Sequence, residues 1–148
     1  GGSTDQSQQR IFVDQGFLIQ KNTSTNVDLK LVGAVKLGPT TIPIGPTNNF
    51  IGNVYATSAM TLSNSGLVQA GLVGGSSTPP ADSVLIHNDT TGVYSTYFYF
   101  TGKGGPQWRA TGGGSVDQGG TQIPLGGNVL IRLSDGHTGF NWTAQPQY

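Results

Sequence analysis

The chain has 148 residues, seven basic and seven acidic, a formal net charge of zero and no cysteine. That length suits one domain with a real core. The charge balance excludes electrostatic steering toward nucleic acid or an anionic membrane, and the missing thiols exclude a disulfide framework and thiolate metal sites.

Charged residues are 9% of the chain, and every acid is Asp. Exposed helix faces are usually filled with Glu and Lys, so their scarcity beside 24 glycines predicts strands and turns. A surface near neutrality also tends to associate, which suits a protein that lives assembled. No apolar run approaches the ~18 residues of a membrane span.

Residues 1–9 form a polar lead. Residues 10–21 (RIFVDQGFLIQK) alternate at Ile11 and Val13, break at Asp14-Gln15-Gly16, and resume at Phe17 and Ile19. That is a strand with a bulge or bend at the glycine. Residues 27–37 alternate Val, Leu, Leu, Gly, Val, Leu against Asp28, Lys30 and Lys36, a half-buried antiparallel strand. Gly38-Pro39 turns the chain into residues 40–44, an edge strand because it carries Pro43. Residues 49–56, 60–62 and 66–73 read as further short apolar strands, and residues 74–82 (GGSSTPPAD) as a long surface loop.

Residues 83–111 hold the densest aromatic run and predict a three-strand meander. Residues 83–88 turn at 89–92 into residues 93–101, which turn at 102–105 into residues 107–111. The middle strand is aromatic or apolar on both faces, so it is expected to be central. After a Gly-rich loop at 112–120, residues 122–125, 129–133 and 139–143 complete the set. Roughly ten short strands with frequent turns predict an all-β fold, a single-domain antiparallel β-sandwich or jelly roll. Residues 1–21 are its N-terminal arm and strand, exchangeable between subunits, and residues 22–148 are the sandwich.

Few residues invite chemistry. In Ser134-Asp135-Gly136-His137 an acid and a His are close enough to orient an imidazole, but Asp-Gly between strands is first a hairpin turn. His87 at a strand end needs no special role. Asp82, Asp89, Asp117 and Asp135 sit in loops, where calcium binding competes with ordinary turn chemistry, and no EF-hand spacing is present. The Gly runs lack the Lys-Ser/Thr of a phosphate cradle. A glycosidase needs paired carboxylates on one cleft, which sparse Asp and absent Glu disfavour. No catalytic residue, cofactor or metal is therefore expected, and the chain is not read as an enzyme. Trp108, Trp142, Tyr55, Tyr94, Tyr97 and Tyr99 could stack on sugars or fill the core. Asn-x-Ser/Thr acceptors stand at Asn22, Asn88 and Asn141. Gly1 is compatible with a start behind a cleaved signal peptide.

From Asn49 onward the chain resembles a family of secreted bacterial surface proteins of Verrucomicrobia-like genomes. The matching residues are Phe50-Ile51-Gly52-Asn53, Thr61-Leu62 with Ser65-Gly66-Leu67, Tyr97 with Tyr99, Gly104-Gly105 with Trp108-Arg109, Ile123-Pro124 with Gly126, and Phe140 with Trp142-Thr143. The resemblance implies export and an all-β fold, and it brings no catalytic residues.

The expectation is a self-assembling extracellular structural protein, a subunit of a filament, tube or surface layer at the cell surface. Its partner is another copy of itself, joined by strand addition through Ile11, Val13, Phe17 and Ile19. The alternative is a non-catalytic carbohydrate-binding module, with glycans as partners, which requires an exposed Trp108 or Trp142.

Overall fold

The computed structural model describes residues 37–52, 60–88, 90–124 and 127–146 without a break, and residues 5, 7–10, 20, 22, 24, 25 and 28 before them. The expected arm anchors Ile11, Val13, Phe17 and Ile19, and nearly all of the strand expected at 27–37, lie outside the described residues. The described residues hold seven strands and one short helix: β1 (Thr40–Ile44), β2 (Asn48–Gly52), α1 (Leu67–Ala70), β3 (Ser83–Asn88), β4 (Val93–Phe100), β5 (Gln107–Ala110), β6 (Asn128–Arg132) and β7 (Phe140–Ala144).

Two antiparallel sheets result, a five-stranded one in the order β2-β6-β3-β4-β5 and a two-stranded one of β1 and β7. Alternation decides what lies between them. In β1, Ile42 and Ile44 are buried while Thr41 and Pro43 are exposed; in β7, Trp142 and Ala144 are buried while Asn141 and Thr143 are exposed. Opposite them, Val84 and Ile86 of β3, Val129 and Ile131 of β6, Ile51 of β2 and Trp108 of β5 belong to the same core. Val84 and Ile131, directly paired, are both fully buried, and each contributes about 1.5–3 kcal/mol through its apolar area. This is an antiparallel β-sandwich in a single small domain.

The predicted meander is present. β3 pairs with β4 from Val84↔Tyr97 to Asn88↔Val93, and β4 pairs with β5 from Tyr97↔Ala110 to Phe100↔Gln107. β4 lies between β3 and β5, inside the sheet. Both of its faces are packed over its second half. Tyr97 and Tyr99 pack on the main core, while Phe98 and Phe100 form a small separate cluster with Ala81 on the outer face. The loop before β3 makes that cover: Gly75 N–H donates to Tyr99 O at 3.0 Å, and Thr101 N–H donates to Gly75 O at 3.1 Å. Arg109 lays its guanidinium 3.4 Å from the centre of the Phe100 ring. Val93 and Tyr94, at the start of β4, are exposed.

Two local expectations are corrected. Residues 66–73 do not form a strand but hold the single turn α1. Gly66 enters it in the left-handed region, and Gly71 closes it by donating to Leu67 O and Val68 O; positive φ at both ends suits glycine and no β-branched residue. Residues 60–62 and 122–125 meet in a lone bridge, Thr61↔Gln122, rather than as full strands. The Asp135-Gly136 turn forms, with His137 N–H on Ser134 O at 3.1 Å. It is not a hairpin, because β6 and β7 belong to different sheets.

Candidate functional site

Asp82 stands immediately before β3 and is fully buried. Its carboxylate accepts four hydrogen bonds. Oδ1 takes Ser134 N–H at 2.7 Å and Ser134 Oγ–H at 2.9 Å. Oδ2 takes Val73 N–H at 2.8 Å and His137 Nδ1–H at 2.8 Å. Asp82 also donates its own N–H to Val73 O at 2.9 Å. A carboxylate has about four acceptor sites, so this one is saturated. An ionised carboxylate has no donor, so Nδ1 of His137 carries the proton, and the ring lies stacked on Phe140 at 5.7 Å.

The sequence offered Asp135 as the acid nearest His137; the fold supplies Asp82 instead, 55 residues away. The set of Ser, His and Asp does not make a nucleophilic triad. Ser134 Oγ spends its proton on the carboxylate rather than on the imidazole, so the hydroxyl is not activated. The arrangement ties the segment after α1, the start of β3 and the β6–β7 connection at one buried point. Asp117 is used in its own turn, accepting from Gly119 N–H at 3.0 Å, and Asp89 lies outside the described residues. Among the described residues no three of His, Cys, Asp or Glu come together. His87 meets Tyr94 edge to face at 5.0 Å.

Trp108 and Trp142 fill the core rather than forming the alternative sugar platform, since each is 3% exposed. Trp108 packs edge to face on Tyr99 at 5.7 Å, and Trp142 donates Nε1–H to Ser65 O at 2.7 Å. Indole carries a large apolar body, and with its single donor satisfied the core is its lowest-energy place. Tyr55 lies outside the described residues. Asn22, Asn88 and Asn141 are all exposed. Asn88 Oδ1 closes the β3–β4 turn by accepting Thr90 N–H at 2.9 Å and Thr91 N–H at 3.0 Å.

The two edges of the five-stranded sheet are treated differently. Along β5, Thr111 N–H donates to Thr96 O at 2.9 Å. Bonded pairs alternate in an antiparallel ladder, so Trp108 and Ala110 turn their backbone groups outward. Both outward carbonyls are occupied: Trp108 O takes Gln118 N–H at 2.8 Å, and Ala110 O takes Gly113 N–H at 3.0 Å. Along β2, Leu133 N–H donates to Thr47 O at 2.7 Å. By the same alternation Asn49 and Ile51 face β6, while Asn48, Phe50 and Gly52 turn their N–H and C=O groups outward. Among the described residues nothing bonds to those outward groups. The usual guards of an edge are Lys, Pro and bulges, and the β2 sequence NNFIG has neither Lys nor Pro. That contrast with Pro43 in β1 was available from the sequence; the occupation of the β5 carbonyls by the following loop was not. Comparisons with protein-family models, with curated proteins and with solved structures return no match for the chain.

Proposed function

We propose that the protein is an extracellular structural subunit that polymerises by strand addition, with the β2 edge as acceptor and the segment carrying Ile11, Val13, Phe17 and Ile19 of another copy as donor. The observation that carries it is the β2 edge, whose outward groups have no partner among the described residues, beside a β5 edge whose outward carbonyls are taken by the chain that follows it. An extended segment laid along Asn48, Phe50 and Gly52 gains main-chain hydrogen bonds, and its alternate side chains meet Phe50 on the outer face. A contact between two different surfaces of one chain repeats head to tail and gives an open polymer unless it closes into a ring. The near-neutral composition and the resemblance to secreted bacterial surface proteins support the same reading.

Negative-stain electron microscopy of the native protein near neutral pH is expected to show fibres or tubes. Phe50→Lys places a charge on the edge without touching the β2–β6 ladder, and should give dispersed, folded particles. Deleting residues 1–21 should do the same. Dispersed particles from the native chain, or unchanged polymers from the deletion, overturn the proposal.

A further inference from the structure

On the outer face of the five-stranded sheet lies a cavity of about 560 Å³, well within the range that holds small ligands. Its floor is sheet: Ser83 of β3, Thr96 of β4 and Arg132 of β6, with Thr111 just past β5. The loop through Pro79 and Pro80 walls one side, and the segment from Leu133 to Asp135 walls the other. The buried Asp82 node lies beneath both walls, tying Ser134 to the residue that begins β3.

Two polar residues of the cavity floor are placed to meet a ligand. Ser83 is 5% exposed and lines the cavity from its floor. Arg132 is fixed from behind, its Nε–H donating to Asn48 Oδ1 at 3.1 Å. A guanidinium has five N–H donors, so the terminal amino groups remain for something else, and among the described residues they have no ion-pair partner.

We infer that this cavity binds a neutral sugar ring. The lining mixes a group that only donates (Arg132), a group that only accepts (Asp135) and hydroxyls that do both (Ser83, Thr96, Thr111). An anionic ligand would meet Asp135 with repulsion, and a cation would meet Arg132. A ring of hydroxyls, each both donor and acceptor, satisfies all of them at once. The apolar C–H face of such a ring has Pro79 and Pro80 to lie against. The site differs from the tryptophan platform, and it does not depend on how subunits join.

The test is backbone-amide NMR of the Phe50→Lys protein, chosen to stay dispersed, titrated separately with glucose, galactose, mannose and N-acetylglucosamine, with glucuronate and glycine as charged controls. At least one neutral sugar is expected to give saturable shifts at Ser83, Thr96, Thr111 and Ser134. Arg132→Gln should weaken that binding about tenfold or more, the loss of a charge-assisted hydrogen bond. Ser83→Ala should weaken it several-fold while the rest of the spectrum stays in place. Absence of saturable shifts with every neutral sugar, preference for glucuronate or glycine, or binding unchanged in both variants overturns the inference. Polymers formed by Phe50→Lys would count against the β2 edge and leave the sugar site to be read by the same titration on a soluble fraction.

Discussion

Asp82 shows how much one side chain can join. Its four donors come from three residues in two segments, Val73 after α1 and Ser134 and His137 between β6 and β7. Asn at this position keeps one acceptor oxygen but turns an NH2 group toward donors. Breaking a buried, hydrogen-bonded charge by changing one partner typically costs about 3–5 kcal/mol. Asp82→Asn should therefore lower the unfolding free energy by that order, read as a lower urea midpoint with the slope unchanged. His137→Ala removes one donor and a ring stacked on Phe140, and should cost less, about 1–3 kcal/mol. Equal losses in the two variants would mean that His137 is the whole of the node and that the Val73 and Ser134 bonds add nothing. No sequence pattern points to Asp82, because its partners lie up to 55 residues away and only the packing of β3 beside β6 brings them within reach.

At the scale of elements, the strands that could be read directly are those with a tight local partner. Residues 83–88 were expected and form β3 over the same span; the Asx turn of Asn88 and the alternation of β4 are local signals, and the hairpin follows from them. The pairing of β6 with both β2 and β3 was not legible, since it joins segments far apart and depends on which apolar faces meet. The step between sheets after β6 was hidden for a related reason: Asp-Gly reads as a hairpin wherever strands flank it. What sends the chain across instead is visible at Gly139, whose φ of 99° lies in the left-handed region. A Cβ there would run into the carbonyl of Ile44 at the end of β1. Gly139 is thus where β7 docks closely against β1, and Gly139→Ala pays twice, in backbone strain and in displacement of β1. The expected loss is about 2 kcal/mol or more, read as a lower thermal midpoint, with Gly136→Ala as a comparison in which only φ is unfavourable and the space is open.

For the whole molecule the question is which force would hold subunits together. Seven positive and seven negative charges give a net charge of zero, so neither long-range attraction between copies nor repulsion among them can dominate. The proposed joint uses backbone hydrogen bonds along Asn48, Phe50 and Gly52 and an apolar contact at Phe50, none of which is ionic. Raising the salt shortens the screening length from about 10 Å at 0.1 M to about 3 Å at 1 M, which weakens exposed ion pairs and leaves strand addition nearly untouched. The critical concentration for polymerisation, measured by sedimentation, should therefore change by less than about twofold across that range. A joint made of ion pairs would instead fall apart as salt rises, and a tenfold or greater increase in critical concentration would exclude the β2 edge as the main contact. Denaturants act in the other sense: urea solvates peptide groups as well as apolar ones, so concentrations too low to unfold the sandwich should already lengthen the lag and raise the critical concentration, because the joint lacks the buried core that protects β3 and β6.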